Sequence, residues 1–295
     1  MNLILSFIAR FFIALFAIVP FRLLYIFSDF LYFILYKVLK YRVNVVRDNL
    51  KKSFPEKSDK EIKRLEKLSY KNLSDITVES LKAFTMSVEQ IYKRHKVINE
   101  EELIPYFDNF NGVIALPNHY GNWEWGALSC MQLTWPGVVL YKPLSNKHLN
   151  NYVKKNRSRS GSDLRSIYNT ARVFIETKNK KFNYVMAADQ SPSNLKKSYW
   201  IDFLGRKTAF LHGPELYAKK YNYLPVFVDI QRVKRGYYEL ELSVLTDNPK
   251  ETKDGEITAL LAAKLEEVVI KKPENWLWSH KRWKLKYPEQ QPETN

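Results

Sequence analysis

Gly112-Val-Ile-Ala-Leu-Pro117, followed by Asn118-His119-Tyr120-Gly121-Asn122-Trp123-Glu124, decides how this chain is read. The first six residues form a short apolar run, the pattern of a strand buried on both faces. A histidine follows the run directly, and a carboxylate stands five residues after the histidine. Residues 122–133 suit a helix, with Gly121 allowing a tight turn and Asn122 able to cap. Open α/β sheets place their sites at the carboxyl ends of buried strands, where the chain enters a helix. His119 is therefore the candidate general base. Glu124 is the candidate carboxylate that fixes its tautomer and stabilises the imidazolium formed on taking a proton. The bland alternative is a polar loop histidine satisfied by the backbone. The spacing alone decides little, because His95 and Glu100 repeat it. His95 lies in the charged run 92–102, with no buried strand ahead of it, and reads as surface.

Outward from this stretch the chain alternates strand and helix signals. Ser58-Asp59-Lys60-Glu61 has the capping-box pattern, and Ile62, Leu65 and Leu68 follow at helical spacing, so a helix over 59–84 is expected. Further strands are expected at 138–141, 184–188 and 224–230, with 237–245 returning as a hairpin, and further helices at 147–157 and 256–270. The fold class is α/β, a mostly parallel sheet flanked by helices. The expected organisation is an N-terminal membrane anchor over 1–40, a catalytic domain over 41–287 and a disordered tail over 288–295.

The anchor is inferred from charge. Residues 1–36 carry only Arg10, Arg22 and Asp29, and Lys37, Lys40, Arg42, Arg47, Lys51 and Lys52 then arrive in quick succession. An apolar front with a basic flank is a membrane signal whose positive side stays cytoplasmic. A span needs about 20 apolar residues, so Arg10 would have to snorkel for residues 3–21 to cross. Interfacial helices broken near Pro20 are the second reading, and a helical hairpin buried in a soluble core is the third.

The whole chain carries 47 Lys+Arg against 31 Asp+Glu, a formal charge of +16, and is 15% aromatic. That balance calls for an anionic partner, and no nucleic-acid recognition motif accompanies it. A hydrophobic content of 45% excludes a disordered chain. The single cysteine, Cys130, excludes an internal disulfide framework and a cysteine-built zinc cluster. Its apolar surroundings read as those of a buried structural thiol. Neither a cofactor nor a metal is expected. The excess charge is concentrated at Lys142, Lys147, Lys154, Lys155, Arg157, Arg159 and Arg165, and again near Trp276, Trp278 and Trp283, where it suits anionic lipid headgroups, an acidic protein or the phosphates of a glycolipid.

Asn118-His-Tyr-Gly-Asn-Trp-Glu124 resembles the H-x4-[D/E] block of the bacterial lipid A biosynthesis acyltransferases, the lauroyl/myristoyl transferase family. The likeness continues through Arg47-Asp-Asn-Leu-Lys-Lys-Ser-Phe-Pro-Glu56, Tyr141-Lys-Pro-Leu144, Ala188-Asp-Gln190, Phe203-Leu-Gly-Arg206, Gly213-Pro214 and Pro273-Glu-Asn-Trp-Leu-Trp-Ser-His-Lys-Arg-Trp283. It covers about residues 5–284, with the blocks in family order. Lys142 stands where the family often has arginine, and Ala209-Phe-Leu-His212 lacks the family's usual threonine.

The resemblance implies a glycerolipid acyltransferase-like fold and O-acyl transfer from an acyl-carrier-protein thioester to a hydroxyl of a lipid A precursor, at the cytoplasmic side of the bacterial inner membrane. The runner-up acceptor is a lysophospholipid or aminolipid hydroxyl. His119 would act as base, held by Glu124. Asn122, Lys142, Arg159, Arg165, Asp189 and Gln190 are the candidate substrate-binding residues. Lys142 reads equally as an oxyanion or phosphate contact and as a solvated lysine. Asp189 and Gln190 read as ordering the acceptor pocket or as capping a loop.

Overall fold

The computed structural model describes residues 2–288, so the expected tail lies outside the described residues from 289 onward. The chain opens with α1 (Asn2–Ile18) and α2 (Phe21–Phe33), which runs into a π-helical turn over Ile34–Val38. Next come α3 (Val43–Ser53), α4 (Asp59–Ala83), α5 (Val88–Arg94), β1 (His95–Val97), β2 (Val113–Pro117) and the short α6 (Gly126–Ser129). They are followed by β3 (Gly137–Tyr141), α7 (Lys147–Arg157), β4 (Asp163–Ser166), α8 (Thr170–Thr177) and β5 (Asn183–Val185). A hairpin of β6 (Ser198–Phe203) and β7 (Arg206–Leu211), then α9 (Gly213–Tyr221), β8 (Leu224–Lys234), β9 (Tyr237–Val244) and α10 (Glu256–Lys271) complete the fold.

Seven strands form one sheet in the order β1-β9-β8-β2-β5-β3-β4, and β6–β7 form a separate ribbon. From β8 to β4 every pairing is parallel, and the β8–β9 hairpin reverses direction at the other side. β2 lies at the centre, with helices on both faces. Its residues alternate between two cores, as a doubly covered strand must. Ile114 and Leu116 join a cluster with Tyr184, Phe227 and Leu261, whereas Val113 and Ala115 join Trp125, Val226 and Tyr238.

The helix expected over 59–84 is α4, and its cap is as expected. Ser58 Oγ accepts from the Glu61 amide, and Glu61 Oε2 accepts from the Ser58 amide at 2.9 Å. This helix buries three carboxylates, each with partners. Glu66 takes Arg47 and Tyr36; Asp75 takes Arg232, Arg235 and Ser28; Glu79 takes Tyr25, Asn122 and Tyr238. The three acids tie α2, the π-helical turn, α3 and the β8–β9 hairpin to α4.

The N-terminal expectation needs correction. Among the described residues no helix is long and apolar enough to cross a membrane, so the span considered for residues 3–21 is not there. Pro20 separates the apolar front into two short helices. Arg10 stacks on the Tyr152 ring of α7 at 4.7 Å, Ser6 and Ile13 are buried, and Lys82 of α4 donates to the Phe16 carbonyl. α1 therefore packs along the domain. Its other face, with Phe7, Phe11 and Phe12, is exposed, as are Ile26, Phe27 and Phe30 of α2.

Candidate active site

The register of two neighbouring strands builds the site. β2 and β5 pair in parallel, Val113 with Asn183 and Ala115 with Val185. The pairing runs on past the strand ends, where the Met186 amide donates to the Ala115 carbonyl at 2.9 Å. Carried further, the same 70-residue offset brings His119 beside Asp189. Asp189 Oδ1 lies 2.7 Å from His119 Nδ1. Asp189 Oδ2 accepts from the His119 amide at 2.9 Å and from Trp276 Nε1 at 3.0 Å.

The carboxylate is 1% exposed, and burial alone would push its pKa up. The His119 charge and the hydrogen bonds from His119 and Trp276 outweigh burial and hold it down at about 2. His119 is the converse case. Burial pulls its pKa down, but Asp189, through charge and hydrogen bond, and the more distant Glu124 charge raise it above the ordinary imidazole value. With Nδ1 directed at Asp189, Nε2 faces outward and has no hydrogen-bond partner among the described residues. The Trp123 ring lies 5.3 Å from the imidazole.

A second strap fixes the loop. The His119 carbonyl accepts from the Leu277 amide at 3.0 Å, and the Gly121 amide donates to the Asn275 carbonyl at 3.1 Å. Tyr120 bridges to Trp276 between them. Gly121 has φ +59° and crosses β8 so closely that a Cβ would sit 2.3 Å from the Ile230 carbonyl oxygen. Gly121→Ala should cost about 2–3 kcal/mol from strain and overpacking, read as a lower denaturant midpoint at unchanged m.

Several expectations fail here. Residues 122–133 are not one helix but a 3₁₀ turn over Trp123–Trp125, the four-residue α6 and a second 3₁₀ turn over Cys130–Gln132. Glu124 does not hold His119, because Asp189 already occupies Nδ1. It pairs with Arg157 of α7, both side chains about one-third exposed. Asn122 does not cap. It is fully buried and donates to Glu79 Oε2 at 2.7 Å, beneath the loop. Arg159 is committed to the carbonyls of Ala83, Met86 and Asn156, and Arg165 to Asp163 and Glu176. Lys142 is exposed just after β3, with no side-chain partner among the described residues.

His95 is not surface. It is wholly buried in β1, 2.7 Å from Ser129 Oγ, and burial pushes its pKa down to about 3. Cys130 is buried, and burial pushes its thiol up to about 12, unlike a nucleophile. Among the described residues no three His, Cys, Asp or Glu side chains converge as a metal site.

Beside the dyad lies an open groove of about 510 Å³ between α4 and the 277–280 segment. Its walls include Leu73, Leu81, Trp123, Glu124, Gln190 and His280. His280 Nε2 accepts from the Ser191 amide at 3.0 Å, and burial first, then nearby cations, lowers its pKa to about 4. The imidazole is neutral there. Sequence reasoning missed the tie between Asp189 and His119, the Arg157 pair and the roles of Trp276 and His280. Only the strand offset could have revealed the first.

An imidazole at the end of the central strand, with a buried carboxylate behind it and a groove beside it, can take a proton from a hydroxyl. The chain belongs to the bacterial lipid A biosynthesis acyltransferase family, whose model matches residues 2–285. It is an acyltransferase of lipid A biosynthesis. No individual curated protein matches it.

Proposed function

We propose that the chain transfers a fatty acyl group from an acyl-carrier-protein thioester to a hydroxyl of a lipid A precursor, with His119 as general base and Asp189 as the residue that positions it. The observation carrying this reading is the 2.7 Å contact between His119 Nδ1 and Asp189, which leaves Nε2 bare beside the groove. An alkyl hydroxyl is a poor nucleophile at neutral pH. Nε2 takes its proton as the oxygen attacks the thioester carbonyl, Nδ1–H keeps donating to Asp189, and the imidazolium is stabilised by the carboxylate. Collapse of the tetrahedral species expels the carrier thiolate, which recovers the proton.

The acceptor presents its chain to the half-apolar groove. Leu73, Leu81 and Trp123 line that groove. The enzyme works at the cytoplasmic face of the inner membrane. In support, the exposed apolar faces of α1 and α2 can lie in the bilayer surface without crossing it.

The test is mass spectrometry of lipids from cells with and without the gene. Loss of one secondary acyl chain from lipid A is expected. Unchanged lipid A with an altered phospholipid or aminolipid would sink the reading. The pH dependence offers a second check. A base must be neutral, and His119 is held above the ordinary imidazole pKa. kcat/KM should therefore rise with pH along a limb whose midpoint lies above 6.5, and Asp189→Asn should move that midpoint down.

A further inference from the structure

We propose that a hollow between the end of α2, the start of α3 and α4 binds a phosphomonoester carried by the lipid acceptor; this rests on the acyl-transfer reading above. The hollow holds about 670 Å³ and is lined by Lys37, Lys40, Arg42, Arg47, Lys63 and Glu66, among others. Glu66 is fully buried and neutralises Arg47 through contacts of 2.8 and 3.1 Å. No carboxylate partner is present for Lys37, Lys40, Arg42 or Lys63 among the described residues. Four cations around one concavity repel one another, and a compact dianion relieves that repulsion.

The backbone adds to the same field. The first turn of α3 faces the hollow with Val43, Asn44 and Val45. The Val43 amide donates to the Lys40 carbonyl at 3.2 Å, and that turn carries no acidic residue and no side-chain cap, so no negative charge faces its positive end. Lys40 and Arg42 adopt φ of 47° and 52°, left-handed values uncommon for residues with a Cβ. This conformation turns the loop around Tyr41 and places both cations on the rim.

Two features choose a lipid-borne phosphate over a soluble one. Phe33, Val38 and Leu39 are exposed on the same turn, so the hollow opens beside an apolar surface. Arg42 also lines the groove that runs to Glu124 and His280, and its Nη1 donates to the Ser279 carbonyl at 3.0 Å. An acceptor with its phosphate in the hollow can therefore reach along the groove toward His119. A phosphate held at one end fixes which of several chemically similar hydroxyls arrives at the base.

The full chain is assayed on a phosphorylated lipid A precursor and on the same lipid after phosphatase treatment. In Lys40→Ala/Lys63→Ala the preference for the phosphorylated acceptor, as a ratio of kcat/KM values, should fall about tenfold, the loss of roughly one charge-assisted contact. Lys178→Ala/Lys180→Ala, the same change of net charge on the turn after α8, should leave the ratio where it was. In parallel, inorganic phosphate at constant ionic strength should raise the Tm of the wild type and not that of Lys40→Ala/Lys63→Ala. If neither lipid is turned over, this Tm difference still supports the hollow, and the acyl-transfer reading alone fails. A ratio unchanged by the double substitution overturns the proposal, as does a Tm indifferent to phosphate. Weakened binding to phosphatidylglycerol vesicles with an unchanged ratio assigns the hollow to bulk bilayer headgroups, and overturns it as well.

Discussion

Asp189→Asn lowers kcat by about three orders of magnitude, within the range for losing a positioned base, while the protein stays folded. The reason is tautomeric. Asp189 accepts three hydrogen bonds, from His119 Nδ1, the His119 amide and Trp276 Nε1. Asparagine can keep two of them with its oxygen, but its amide then faces Nδ1 as a donor. The imidazole answers by moving its proton to Nε2, the atom that must be bare to accept one. Glu124→Gln breaks only the partly exposed pair with Arg157 and removes a distant charge from His119, so it should cost tenfold or less. Side-by-side steady-state kinetics of the two variants decide the matter. Equal losses would show that Glu124 reaches His119 during turnover and that Asp189 is no more than a loop staple.

Glu79→Ala should destabilise the protein by about 4 kcal/mol, measured by urea unfolding. It strands three donors at once, the partly buried Tyr25 Oη and the buried Asn122 Nδ2 and Tyr238 Oη. Asn122 is the residue beneath the His119 loop, so turnover should fall together with stability. Glu79→Gln should keep most of both, because its oxygen accepts from Asn122 and Tyr238 and its amide can donate to a rotated Tyr25 hydroxyl. The carboxyl also has a pH signature. Burial, then the Asp75 charge, raise its pKa to about 7, above the unfolded carboxylate value. The folded protein thus binds more protons here than the unfolded chain. This group favours the fold below about pH 4.5 and loses that contribution as pH rises toward 7. Glu79→Gln should flatten that decline, and unchanged pH dependence would remove Glu79 as its source.

The elements that could be read from sequence are those whose signals are local. The run 112–117 appears as β2, Ser58 and Glu61 cap α4, and the hairpin of 226–232 with 237–245 is present as β8–β9. The position of His119 at the end of a buried strand was legible, because that pattern is local. Its partner was not. Glu124 is five residues away and Asp189 seventy, and only the pairing of β2 with β5 makes the distant one the neighbour. The same blindness misplaced His95, whose charged surroundings hide a strand tucked beside β9. It also misjudged Arg159, whose guanidinium serves backbone carbonyls in place of a ligand. Hydropathy allows the apolar front to be read as a span because it does not report that Arg10 stacks on Tyr152.

The shared offset of β2 and β5 has one more implication. His119 and Asp189 meet because the same number of residues separates each from its paired strand. Substitutions in either segment alter packing and leave the count intact. A single-residue insertion or deletion between 115 and 119, or between 185 and 189, would shift one partner by about 3.3 Å and turn its side chain to the opposite face. Between the paired strands and this site the chain therefore cannot change length, and insertions fit only elsewhere, in segments such as 192–197 that lie beyond the matched ends.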